Sequence, residues 1–96
     1  MLQWDMFWIY ILTNPSHSTL YIGVTRDLPR RIKQHRVGTG SKFVTKYKLT
    51  KLVYAECTEL ATDAFEREKQ IKRWRREKKG NLIRTTNPDW EELTFV

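Results

Sequence analysis

Three sets of polar side chains stand where the local repeat of the chain asks for apolar ones. Over Leu28–Arg36 a helical period of about 100° per residue puts Leu28, Arg31, Ile32 and His35 in one arc and turns Arg30, Lys33 and Gln34 away from it. An arginine on a core-facing side needs a partner or a ligand for its guanidinium, because an unpaired buried charge is expensive; snorkelling to water is the structural alternative. Further along, Ala61, Ala64, Phe65, Ile71 and Arg75 share a second arc, with Glu68 near its middle. A carboxylate in an apolar stripe asks for a cation or a metal ion. Arg31 is itself a candidate for that cation, in a purely structural ion pair. The third set is Tyr10 and Tyr21, in two strand-like runs whose alternation puts Tyr21 on one face with Thr19, Gly23 and Thr25. Gly23 interrupts a β-branched run, and a glycine there often marks close approach by a ligand or another backbone.

The elements that must position these groups follow from the same chain. Phe7–Thr13 and Thr19–Thr25 are rich in β-branched and aromatic residues, and the turn-forming stretch Asn14-Pro15-Ser16-His17-Ser18 joins them into a predicted hairpin. The first strand is apolar on both faces, as expected of a central strand covered on both sides. Asp27 caps a predicted helix over Leu28–Arg36, which tolerates Pro29 in its first turn and ends at Gly38 and Gly40. A polar, basic connection runs to Lys51, followed by a third strand over Leu52–Cys57. Asp63 and Glu66 have the spacing of a capping box that opens a helix reaching about Arg76. Gly80 is expected to interrupt, Asn81–Arg84 to add a helical turn, and Asn87-Pro88 to turn the chain so that Trp90 and Leu93 dock on the core. The order is β-β-α-β-α with a C-terminal helical addition: one α+β domain over residues 1–96, with about three antiparallel strands in a central sheet flanked by helices. Its folded part spans about residues 6–94, Met6 opening it and Met1–Asp5 forming a loose extension.

Charge narrows the partners. The chain of 96 residues carries a net +7, and every Lys and Arg lies between Arg26 and Arg84. Arg26–Lys51 alone holds nine basic residues against Asp27, a local net of +8. Such clustering suits phosphate, whose neutralisation releases condensed counterions. Arg26, Arg30, Lys33, Lys42, Lys46 and Lys48 are the predicted nucleic-acid contacts. The single cysteine, Cys57, lies in an apolar run and is expected to be a buried thiol in a reducing, cytoplasmic setting. No run approaches the ~20 apolar residues of a membrane span, and the N-terminus lacks the features of a secretory signal, so a soluble, unprocessed protein is expected.

Taken together these positions resemble the GIY-YIG nuclease superfamily. Within it the likeness is to the small stand-alone bacterial proteins related to the N-terminal catalytic domain of the excinuclease subunit that makes the 3′ incision. The hairpin reads Trp8-Ile9-Tyr10 and then Tyr21-Ile22-Gly23, with Trp8 in place of the family's first glycine. The helix carries Arg31 at the family's arginine and His35 where a tyrosine or histidine stands. The stretch from Lys51 to Glu56 and that from Ala64 through Glu68 to Trp74 are similar to the strand and metal-helix blocks. The resemblance implies a divalent-metal-dependent endonuclease acting on DNA, with RNA left open and with structure preference or weak sequence specificity. It implies that Glu68 holds a single Mg²⁺ or Mn²⁺, that Arg31 grips the scissile phosphate, and that Tyr10 and Tyr21 position a water and take its proton. A phenol with a pKa of about 10 is a poor base at neutral pH, so cations nearby are expected to lower it. His35 would accept a proton from that tyrosine or hold it, and Asn81, with Asn87 as rival, would support the site. Cutting both strands would need two sites, hence a homodimer. Two other classes compete: a nucleic-acid-binding module on the same fold that does not cut, and a domain whose basic faces meet an acidic protein.

Overall fold

The computed structural model describes residues 6–94, so the expected Met1–Asp5 extension lies outside the described residues. The chain forms β1 (Phe7–Thr13), β2 (Leu20–Thr25), α1 (Leu28–Arg36), α2 (Lys42–Tyr47), β3 (Lys51–Thr58), α3 (Ala61–Arg73) and α4 (Arg76–Thr86). The three strands make one antiparallel sheet in the order β2-β1-β3, which puts the doubly apolar β1 in the middle.

Because side chains alternate along β1, its two faces build two cores. Ile9 and Ile11 pack with Ile22, Val53, Ala64, Ile71, Ile83 and Trp90, under α3 and α4. Tyr10 and Leu12 pack with Leu28, Ile32, Val44, Leu49 and Leu52, under α1 and α2. The architecture is therefore α+β in three layers, with helices on both faces of the sheet.

Local chemistry sets the boundaries. In the hairpin turn the Asn14 side chain accepts hydrogen bonds from the backbone of Ser18 at 2.9 Å and Thr19 at 3.3 Å, and His17 takes a left-handed conformation. Asp27 caps α1 as expected, accepting from the Arg30 N–H at 3.2 Å. The connection after α1 departs from expectation, since it contains α2. Ser41 caps that helix through its Oγ, and only Val44 of its six residues is buried. One buried residue leaves no period to read.

Three more expectations need correction. The capping box does not form: α3 begins at Ala61, so Asp63 falls in its first turn and favours the helix dipole instead. The helix stops at Arg73 because Trp74 and Arg75 are both extended, and Gly80 lies buried inside α4 rather than interrupting it. A Cβ at Gly80 would lie 3.3 Å from the Arg84 guanidinium and reach ordinary contact with Trp90 at 3.4 Å. Cys57 is exposed, sitting near the end of β3 where the sheet outruns its cover.

Between Ile11 and Leu12 the β1–β3 register shifts, leaving Val53 as the extra residue of a bulge. Its carbonyl is taken by the buried Asn87 amide at 3.0 Å, and the same side chain bonds the backbone of Glu91 in both directions. Leu93 N–H then reaches the Leu52 carbonyl at 2.8 Å. Trp90 and Leu93 pack against the two cores, as expected from the tail.

Candidate functional site

The face of the sheet under α1 carries a polar cluster inside an otherwise apolar core. Register sets it up: Tyr10 lies opposite Gly23, and Tyr21 opposite Leu12, so the two phenols are diagonal neighbours with ring centroids 6.2 Å apart. A Cβ on Gly23 would stand 2.5 Å from the Tyr10 hydroxyl. The close approach that the glycine permits is thus that of the Tyr10 ring.

One turn of α1 supplies the rest. His35 is 2% exposed and Tyr10 is fully buried, with the Tyr10 hydroxyl 3.0 Å from His35 Nε2. The Tyr21 ring meets the His35 ring edge-on at 5.5 Å. Gly40, which spacing alone did not single out for this site, closes the other side of the imidazole: a Cβ there would fall 2.6 Å from Nδ1. A glycine at that place is what lets the loop after α1 come down on the ring.

Arg31 is half-buried beside the phenols. Its one aligned hydrogen bond runs from Nη1 to Gln34 Oε1 at 3.3 Å, and its buried Nε has no partner. Among the described residues no carboxylate pairs with it. The structural ion pair between Arg31 and Glu68 is therefore not formed. Tyr10 and, less strongly, Tyr21 favour the charged form of Arg31 and raise its pKa further, against burial.

The electrostatics correct one expectation. Burial pushes the Tyr10 phenol up to about 12, and the opposing pull of Arg31 does not overcome it. His35 moves the other way, held below its ordinary value by burial and then by the Arg31 charge. At neutral pH the pair is a protonated phenol against a neutral imidazole. His35 Nδ1 is buried and has no hydrogen-bond partner.

Glu68 lies on α3, whose Ala64 and Ile71 pack with Ile9 and Ile11, and its carboxylate pairs with Lys72 one turn on, at 3.1 Å. Phe65, expected in the same arc, is exposed, as is Arg75. Among the described residues no three His, Cys, Asp or Glu side chains gather into a metal-binding group. A divalent ion held by one carboxylate, waters and phosphate oxygens would not produce such a group, so Glu68 suits that arrangement alone. Asn81 is exposed and accepts from Arg84 at 2.7 Å; Asn87, its rival, is committed to the β3 bulge.

The basic residues are where a polyanion would find them. Arg26, Arg30, Lys33, Lys42, Lys46 and Lys48 are all exposed, and Arg26 also lies over the Phe7 ring at 5.2 Å. From Leu28 to Lys51 there are eight basic residues and no Asp or Glu. Arg36 is the member of this stretch that tertiary contact neutralises, through Glu92 of the tail. No helix among the described residues is long and apolar enough to cross a membrane.

A three-stranded sheet between helices, with paired tyrosines facing an arginine and a histidine one turn apart, defines a GIY-YIG type of domain. Residues 6–81 match the family model described as the GIY-YIG catalytic domain, and the chain belongs to that family. It is similar to a UPF0213 protein of Haloquadratum walsbyi, 37% identical over 78 residues that cover 81% of this chain and 86% of that one. A UPF0213 protein of Staphylococcus aureus is 35% identical over 80 residues, 83% of this chain and 96% of its own. The matched stretch makes up most of each relative's length and most of this chain. The solution NMR structure of a UPF0213 protein from Bacillus halodurans superposes with a TM-score of 0.58 at 29% identity, covering 90% of each chain.

Proposed function

We propose that this chain binds the phosphate backbone of nucleic acid, DNA in the first place, with one phosphate seated at Arg31 among Tyr10, Tyr21 and His35. The observation that carries this reading is the half-buried guanidinium whose Nε has no partner and which, among the described residues, meets no carboxylate. An uncompensated cation in that setting is an anion site in waiting, and the planar fork of arginine suits phosphate. The acid-free basic stretch around it extends the attraction along a backbone. Family membership supports nucleic acid as the source of the phosphate.

The finer reading is that the seated phosphodiester is also hydrolysed, and the Tyr10–His35 contact favours it. A phenol 3.0 Å from a neutral imidazole offers a route for a proton beside the phosphate. Tyr10 would hold a water against the phosphate. With its pKa near 12 it stays protonated until a proton is taken from it, and His35 Nε2 is the base within reach. The water oxygen bonds to phosphorus as its proton passes to Tyr10, one ester bond breaks, and the leaving alkoxide takes a proton from solvent water, so the products are a phosphate monoester and a hydroxyl. Glu68 would hold one divalent ion, Mg²⁺ or Mn²⁺, in exchange for its contact with Lys72. That ion would supply Lewis-acid stabilisation of the charge that grows on the phosphate oxygens.

Two measurements on the same protein test the two readings. Labelled DNA titrated over a salt series should bind with an affinity that falls linearly in log salt, with or without metal. Supercoiled plasmid should be nicked only when Mg²⁺ or Mn²⁺ is added, and Glu68→Ala should abolish nicking while leaving binding nearly intact. Binding without product at any metal concentration would reduce the protein to a binding module. Absence of salt-sensitive binding would sink both readings.

A further inference from the structure

The second helix of the basic stretch presents two large rings to solvent. Phe43 is 46% exposed and Tyr47 is 41% exposed, although both belong to a helix that sends only Val44 into the core. Their centroids are 4.8 Å apart, and Phe43 lies 6.5 Å from Tyr21 of the polar cluster. A continuous file of rings therefore runs from Tyr10 through Tyr21 and Phe43 to Tyr47. Lys42, Lys46 and Lys48 flank its outer end, with Lys46 Nζ 5.4 Å from the centre of the Tyr47 ring.

From this juxtaposition we infer that α2 is a stacking platform for the bases of a single strand, so that the nucleic acid lying across the site is single-stranded or locally unpaired. The inference rests on the reading of the Arg31 cluster as a phosphate seat and names the substrate class of that seat. A duplex offers phosphates and base edges, and lysines suffice to hold its backbone. Unpaired bases offer flat faces, and exposed aromatic rings beside lysines match faces and phosphates together.

Other occupants fit the chemistry less well. The cores of protein interfaces are poor in lysine, whereas Lys42 adjoins Phe43 and Lys46 and Lys48 flank Tyr47 in sequence. A second copy of the chain would set one acid-free stretch against another. Like charge opposes that contact.

The test uses the full chain without divalent ion, so that binding is read apart from cutting. A labelled oligothymidylate strand and a blunt duplex are each titrated by fluorescence anisotropy over a salt series. Phe43→Ala and Tyr47→Ala should each weaken binding of the single strand by about 5- to 100-fold. Duplex affinity should stay within about 2-fold and the salt slope should not move, because no phosphate contact is lost. Phe43→Trp and Tyr47→Phe, which keep the ring, should restore single-strand binding. Lys46→Ala should weaken both forms and lower the salt slope by about 1.

Equal losses on strand and duplex would overturn the platform, since the rings would then only be holding α2 in place. Unchanged single-strand binding in both alanine variants would overturn it as well. So would a dimer that dissociates on Phe43→Ala while the strand still binds. Wild-type protein that binds the duplex as tightly as the strand defeats this inference alone, whereas no binding of either form at low salt defeats the phosphate seat too.

Discussion

Arg31 and Arg67 are two half-buried arginines, on α1 and α3, and they have opposite surroundings. Arg67 is fully engaged: Nε and Nη2 hold the two oxygens of Glu56 at 2.8 and 3.1 Å, Nη1 reaches Gln70 at 2.7 Å, and the guanidinium lies over the Trp74 ring. Tyr54 adds a 2.5 Å hydrogen bond to the same carboxylate. Burial alone would raise the pKa of Glu56, but the hydrogen bonds from Arg67 and Tyr54 hold it below the usual range. Arg31 has one aligned hydrogen bond, to the neutral Gln34 amide, looser contact with the Tyr10 and Tyr21 phenols, and an Nε without a partner. A guanidinium whose donors are all spent is a structural brace, while one left short of acceptors in a basic surface has capacity for an anion.

The comparison breaks if exchanging the two residues does the same thing. The largest effect is expected at Arg31: Arg31→Lys should lower metal-dependent nicking by about 10²–10³-fold, because a point charge cannot reproduce a bidentate grip. Its thermal stability should stay within about 0.5 kcal/mol of the parent. Arg67→Met should reverse that pattern, losing about 1.5–3 kcal/mol by denaturant titration as Glu56 loses its partner. The surviving folded fraction should bind DNA normally. Wild-type nicking by Arg31→Lys, or impaired binding by folded Arg67→Met, would erase the distinction.

Gly23→Ala sharpens it on the side of the cluster. The added methyl meets the Tyr10 hydroxyl at 2.5 Å, and Tyr10 is fully buried, so overpacking of about 1–3 kcal/mol is expected together with loss of cutting. A variant that kept both parental stability and parental rate would show that the Tyr10 position is not demanding.

The smallest effect is a pH slope. His35 has a folded pKa below its ordinary 6.5, so the unfolded chain binds more protons as pH falls through that value. Its contribution is present above pH 6.5 and is lost on acidification towards its lower folded value, with a slope of at most about 1.4 kcal/mol per pH unit. His17, lowered by burial and by Lys51 and Arg76, adds a term of the same sign, and Glu56 takes over below 4.5. Stability measured between pH 6.5 and 4.5 should therefore fall less steeply in His35→Gln than in the parent. An unchanged slope would mean that His35 is not buried in its neutral form.

Periodicity carried most of the architecture. The doubly apolar Phe7–Thr13 run had to be the covered central strand, and the Asp27 cap with its following arc had to be a helix, because those signals are local and span several residues. The hairpin alternation grouped Tyr21 with Gly23 in advance, and the strand register then brought both onto the face of Tyr10. Helix α2 escaped for want of a buried stripe. The capping-box spacing at Asp63 and Glu66 misled because α3 starts most of a turn earlier than an Asp63 cap implies, at Ala61.

By itself, then, the chain determined the sheet, the flanking helices, the charge bias and the inward turn of Arg31 and His35. Tertiary structure decided what those groups meet. Arg31 and Arg67 are the same residue type on helices of similar period, and only the packing of β3 beside α3 gives one of them a carboxylate. The environment of a charge is a sum over neighbours distant in sequence, which no local repeat contains. The same holds for Tyr10, whose pKa rises to about 12 because the layer of α1 and α2 buries it, and for Gly40, which reaches His35 only once the loop folds back.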